Sequence, residues 1–166
     1  MYRTIDDFVG DWLYESRATM KILRSLTDAS LGQRVTPDGR SLGLLAWHIV
    51  LTLEEMGGRA GLQVTGPGEH APVPSQASVI ASAYEEAATS LREQVKTRWT
   101  DASLLEELEM YGDKWTRGTT LAALIRHQAH HRAQMTILMR QAGLSVPGVY
   151  GPSREEWARM GLPPRK

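Results

Sequence analysis

Four stretches in which apolar residues recur every three or four positions leave this chain little choice but to pack helix against helix. In the first, residues 5 to 26, Ile5, Phe8, Val9, Trp12, Met20 and Leu23 make one stripe, the spacing of a helix with one buried face. Thr4 stands where an N-cap belongs, and Asp7 suits the positive end of the helix dipole. The second, from Ser41 to the pair Gly57-Gly58, is apolar nearly all round through Leu42, Leu44, Leu45, Trp47, Ile49, Leu51, Leu53 and Met56, so it belongs deep in the fold. The third runs from about Ser78 to Trp99 along Ile80, Tyr84, Ala87, Leu91 and Val95; the fourth starts near Thr120 and stops at Gly143, a natural helix-terminating position. No strand pattern stands out, and "TDASLLEELEMYGDKW" reads as room for one short helix. The expectation is an all-α fold, one bundle domain over residues 1–166.

The connections are unequal. "TPDGRS" marks a turn between the first two helices, whereas residues 57 to 77 are rich in Gly and Pro. A segment of that length without its own structure inside a small domain is usually functional or a long crossover. After Gly143 comes a tail in which Ser153 and Glu156 have capping-box spacing, so a short terminal helix is expected there. One short repeat appears as well. "TDASL" occurs at Thr27–Leu31 and again at Thr100–Leu104, and each copy precedes a loop and a helix. With Ser41 set against Thr120 as caps, Leu42 falls on Leu121, Leu45 on Leu124 and His48 on His127, each histidine seven residues past its cap. Common caps and leucine stripes produce such overlaps too.

The chain has five histidines, three of them within "HQAHHRAQ" at 127 to 134. His127 and His131 are four apart, hence on one helix face and one turn apart, able to converge on a single ion. Such a pair also arises by chance on helices. A third ligand has to come from elsewhere, and His48 lies on the apolar second helix, where an unpartnered imidazole carries a desolvation cost that coordination removes. Three neutral imidazoles leave a position open for water or substrate. Gln128 occupies the place where the helix of an HExxH protease carries its glutamate, and an amide cannot take a proton from water. His130 lies about 80° around the helix from the His127–His131 midpoint, at about 100° per residue, so it belongs to the edge of the site or to a helix neighbour. Gln134 shares the face of His131 and can orient a bound water or an imidazole, or simply be a polar residue at a bundle end. Thr52, one turn from His48, is a pocket candidate. Glu55 is two turns away, too far to share an ion with His48. Arg132 projects sideways, as for a salt bridge to another helix, and His70 reads as a solvated loop residue.

Composition removes several alternatives. Cysteine is absent, so disulfides, thiolate nucleophiles and Cys-type zinc sites are excluded and any metal must use His, Asp or Glu. Lysine plus arginine equals aspartate plus glutamate at 19 each, which gives no electrostatic footprint for nucleic acid. No apolar run approaches membrane length, and the opening "MYRTIDDFVGDW" is acidic and broken in its hydrophobicity, unlike a signal peptide. A cytoplasmic protein with no membrane partner is expected. Neither a P-loop nor a G-x-S-x-G elbow occurs.

"SLGLLAWHIV", followed at a distance by "HQAHHRAQMTILMRQAGLSVPGVYG", resembles the DinB-like superfamily of four-helix-bundle metalloproteins. That family shows a histidine in its second helix and H-x-x-x-H-R-G-Q in its fourth; here the signature is His127, His131, Arg132, Ala133 and Gln134, with Ala for the usual Gly. The resemblance implies an up-down-down-up four-helix bundle, which accounts for the long crossover between helices 2 and 3. It implies one divalent ion on His48, His127 and His131, zinc or nickel foremost and iron or manganese also compatible, and a homodimer. It also implies a small-molecule substrate, a low-molecular-weight thiol above all, as in bacillithiol S-transferases and mycothiol-dependent maleylpyruvate isomerases. The leading expectation is a metal-dependent S-transferase with a metal-activated thiolate. The alternatives are a metal-dependent hydrolase working through metal-bound hydroxide and a non-catalytic metal-binding stress protein.

Overall fold

Side-chain caps set the start of three of the four long helices. In the computed structural model, which describes residues 2–163, Thr4 and Asp7 form a reciprocal capping box that opens α1 (Ile5–Leu23). Ser41 accepts from the Leu44 amide to open α2 (Leu42–Arg59). α3 (Ala77–Arg98) lacks a side-chain cap of its own at Gln76; instead the Ala77 amide donates to Asp28 Oδ1 at 2.7 Å. Thr116 caps α4 (Arg117–Gln141), and Gly143 follows it with φ +75°. The tail helix α5 (Arg154–Arg159) is opened by the Ser153–Glu156 box expected for it.

The chain is mostly helical, and α1 and α2 each pack against both α3 and α4. The shared core is built from fully buried side chains such as Phe8, Trp12, Ile22, Ile49, Leu53, Ile80, Tyr84 and Leu91. The loop after α1 meets the beginnings of two helices: Gly43 donates to the Leu31 carbonyl at 2.9 Å, and Asp28 holds Ala77. At the other end Asp101, just past α3, accepts from the first amide of α1, Ile5, at 2.8 Å.

Three expectations need correction. The segment read as room for one short helix does hold one, a 3-10 helix at Ala102–Leu105, but it continues into an unexpected antiparallel hairpin, β1 (Glu107–Met110) and β2 (Asp113–Thr116), with Leu108 opposite Trp115. So the fold is not all-α. Each strand has four residues, too few for alternation to declare itself, and the turn is Tyr111-Gly112 with φ +55° and +86°. Two positive φ values are what a tight hairpin turn demands, met here by Tyr-Gly rather than the familiar Asn-Gly. Secondly, α2 does not stop at Gly57-Gly58 but runs to Arg59. Gly57 is a packing residue: a Cβ there would lie 2.5 Å from Val64 Cγ2, because the crossover folds back against the helix. Trp47 Nε1 donates to the Ala71 carbonyl at 2.8 Å and anchors that crossover. Thirdly, α4 begins at Arg117 rather than near Thr120. The residues from 116 supply the cap and one additional turn.

Candidate metal centre

α2 and α4 lie against each other, and the faces they share carry His48 on one side and His127 and His131 on the other. His48 Nε2 stands 3.1 Å from His127 Nε2, and His131 Nε2 stands 3.0 Å from the same atom. The candidate ligand atoms of all three lie within 4.8 Å of one another. Imidazole nitrogens bound to one ion at about 2.0–2.1 Å stand about 3 Å apart, so the spacing suits a shared divalent cation.

The proton positions agree. His131 Nδ1 is 2.8 Å from Gln134 Oε1. The amide oxygen can only accept, which puts the proton on Nδ1 and leaves the Nε2 lone pair free. A single N–H on His127 could serve only one of its two close contacts, so lone pairs are left facing each other unless a cation sits among them. Burial depresses the basicity of all three rings. It lowers His48, with further repulsion from His131 and Arg40; it lowers His127 to about 4, with His131 and His48 adding to the effect; and it lowers His131 despite the opposing hydrogen bond to Gln134. Neutral imidazole, the form that binds metals, is thus favoured at neutral pH.

The other expected residues fall as follows. Thr52 is buried and lines the same groove, but its hydroxyl donates to the His48 carbonyl at 2.7 Å. His130 is exposed, its ring 4.9 Å from that of His131, at the margin of the cluster. His70 is exposed in the crossover. Gln128 points away from the histidines and is fully buried. Its Oε1 accepts from the Tyr84 hydroxyl at 2.6 Å and lies 3.0 Å from Thr19 Oγ1.

Arg132, next in sequence to His131, turns to the opposite side of α4 and makes the interhelical ion pair read from the sequence. Its partner is Glu15 of α1, and their side chains are 3% and 6% exposed. Arg132 Nη1 also donates to the Glu15 carbonyl and to Thr19 Oγ1, both at 2.9 Å. The Tyr150 hydroxyl accepts from Arg132 and donates to the Glu15 carboxylate. The network, buried at Glu15, Thr19 and Arg132, ties α4 to α1 and, through the exposed Tyr150, to the tail. Glu15, Tyr84 and Tyr150 had no spacing in the sequence that joined them to Arg132.

The histidines sit between two clefts in the α2–α4 groove. One, of about 470 Å³, is lined by His48, Thr52, Glu55, Met56, Ala123 and His127, with Tyr111 and Trp115 of the hairpin. The other, of about 370 Å³, reaches from His131 to Arg40. In the hairpin cleft the Tyr111 hydroxyl donates to Glu55 Oε1 at 3.1 Å, Arg59 pairs with the same oxygen at 3.2 Å, and burial followed by Glu55 pushes the Tyr111 hydroxyl up to about 12. Neither the hairpin wall nor Arg40 was singled out in the sequence.

A mostly helical fold that gathers three neutral imidazoles beside open clefts defines a class: a helical protein with a candidate three-histidine metal centre. The DinB family model matches residues 1–166, and the chain belongs to the DinB family. It is 46% identical over 162 residues to the protein named "Uncharacterized protein YrdA" of Bacillus subtilis (strain 168), covering 98% of this chain and 97% of that one. Among solved structures, a DinB-like protein from Bacillus cereus ATCC 10987 superposes with a TM-score of 0.86 at 43% identity, over 90% of this chain and all of that one. The DinB-like protein YjoA of B. subtilis gives 0.68 at 18% identity, over 88% and 98% of the two chains, a likeness of fold alone. Among the described residues no helix is long and apolar enough to cross a membrane.

Proposed function

We propose that this protein is a metal-dependent enzyme acting on a small molecule, with transfer of a thiol as its reaction. The observation that carries the reading is the convergence of His48, His127 and His131, all on Nε2-side geometry within 4.8 Å, next to clefts large enough for a substrate. A divalent ion bound there would lower the pKa of a thiol or water and so supply a nucleophile at neutral pH. The chain's own residues do the rest. Three imidazoles bind, Gln134 holds the ring of His131 in the right tautomer, and burial keeps the rings unprotonated.

Hydrolysis is the weaker reading. Glu55 is the sole carboxylate lining either cleft among the described residues, and it is already engaged by Tyr111 and Arg59. Zinc or nickel suits an all-imidazole set best. The bundle is proposed to run up-down-down-up, supported by the loop after α1 touching the starts of both α2 and α3. A cytoplasmic homodimer completes the proposal.

Metal analysis of the protein as purified, followed by product analysis with low-molecular-weight thiols and electrophiles against esters and amides, tests the function. Thioether products that depend on the metal are expected. Metal-dependent ester or amide cleavage without thiol consumption would replace transfer by hydrolysis, and absence of bound metal after cobalt(II) or nickel(II) loading would remove the enzyme reading altogether.

A further inference from the structure

We infer that the cleft between His131 and Arg40 binds a small molecule with a carboxylate at one end and an apolar body. The inference deepens the proposed function, because the cleft begins at the metal centre, but it rests on different residues. Its walls are Leu45 of α2 and Leu138 and Ile137 of α4, with Val35 of the preceding turn across from them. Ile137 is 57% and Val35 65% exposed, an unusual outlay of branched apolar surface on either side of one opening. Arg40 is the only side chain with a permanent charge in this lining among the described residues, and no carboxylate pairs with it there.

The loop that carries Arg40 is built to hold it. Arg34 donates to the Gly39 carbonyl, the Gly39 amide to Thr36, and the Leu42 amide to the Gln33 carbonyl. Arg40 therefore emerges one residue before the Ser41 cap, at the mouth of the groove. A single planar guanidinium matches one carboxylate in a bidentate pair, whereas a phosphate dianion would call for further cations that the lining lacks. On α4, His131 and Leu138 are seven residues apart, or about 10 Å at 1.5 Å per residue. Leu138 lines the same cleft as Arg40, so an aliphatic acid of about six carbons suits that length of apolar wall.

The test uses the full chain with hexanoate and hexan-1-ol as probes, followed by methyl and amide NMR in metal-free protein, and by the visible spectrum of cobalt(II)-loaded protein. Hexanoate is expected to shift the signals of Val35, Leu45, Ile137 and Leu138 and to bind at least about tenfold more tightly than hexan-1-ol, the worth of one charged hydrogen-bonded pair. Arg40→Gln should bring hexanoate down to the level of the alcohol and leave the cobalt spectrum unchanged. Equal affinity for acid and alcohol, shifts confined to the Trp115 cleft, or a preference that survives Arg40→Gln would each overturn the assignment. If cobalt fails to bind while the Arg40-dependent preference stands, the metal reading falls and this one holds; cobalt binding without the preference has the reverse meaning.

Discussion

Asp28 and Asp101 each hold the first turn of a helix from the other half of the chain. Asp28 Oδ1 takes the Ala77 amide at the start of α3, and Asp101 Oδ1 takes the Ile5 amide at the start of α1, at 2.7 and 2.8 Å. Both acids lie in "TDAS" turns with the same internal bonds. Ser30 and Ser103 each accept from the Thr amide three residues back, donate their own amide to its hydroxyl, and donate their hydroxyl to its carbonyl. The short repeat in the sequence is thus a repeated turn, each copy following a long helix and holding the start of another. The match does not extend to the histidines: His48 lies seven residues past the Ser41 cap, whereas α4 is capped by Thr116 rather than Thr120, eleven residues before His127. Asp28→Ala and Asp101→Ala should each lower stability by about 1 kcal/mol, as loss of a helix-start acceptor does. Urea melts of the two variants check this, and a loss at one site alone would argue that the turns are not equivalent.

Ligand identity is the most direct matter to test. His131→Ala should abolish metal retention, because it removes one of three converging nitrogens, while His130→Ala should largely keep it, since that ring is exposed at the margin. Metal content after dialysis reads both variants. Equal loss in the two would overturn the assignment.

Gln134→Leu keeps the bulk of the side chain but deletes the acceptor 2.8 Å from His131 Nδ1. Partners of this kind contribute about 10- to 100-fold in metal affinity, so competition against a chelator should show a weakening in that range with little change in folding.

Acid should weaken the metal-free fold by way of the same rings. Burial holds them below the ordinary 6.5, His127 at about 4. Between those two values the unfolded chain binds more protons than the folded one. The stabilising contribution is therefore complete above about pH 6.5 and declines as pH falls toward about 4. Metal retention should decline in the same direction. Urea melts at several pH values, compared with a His127→Gln variant, should give the steeper acid loss in the unmutated protein; parallel curves would count against burial of this ring in its neutral form.

Adjacent glycines in α2 give a contrasting pair. Gly58→Ala meets nothing within 4 Å and should stabilise by up to about 1 kcal/mol through helix propensity. Gly57→Ala brings a methyl group against Val64 and Leu91 and should cost about 1–3 kcal/mol. Thermal melts that moved both variants alike would remove the packing role of Gly57.

The four long helices were legible because their apolar stripes are long, and the histidine cluster because the four-residue spacing of His127 and His131 coincides with a lone imidazole, His48, on an otherwise apolar helix. Boundaries were less so. Gly57-Gly58 looked like a stop, since a pattern on one strip of chain does not reveal Val64 folding back onto it. The hairpin hid behind strands of four residues and a Tyr-Gly turn. Arg132 announced an ion pair but not its partner, because nothing in linear spacing relates residue 15 to residue 132; only the packing of α1 on α4 does.

The position of the three rings midway along the α2–α4 groove has a bearing on kinetics. Under the thiol transfer proposed above, two reactants entering from opposite ends, one along the Arg40 cleft and the other along the Trp115 cleft, would be held at once and meet head to head with neither having to leave first. A molecule long enough to overrun its own half would trespass on its partner's berth, so chain length alone could turn a substrate into an inhibitor.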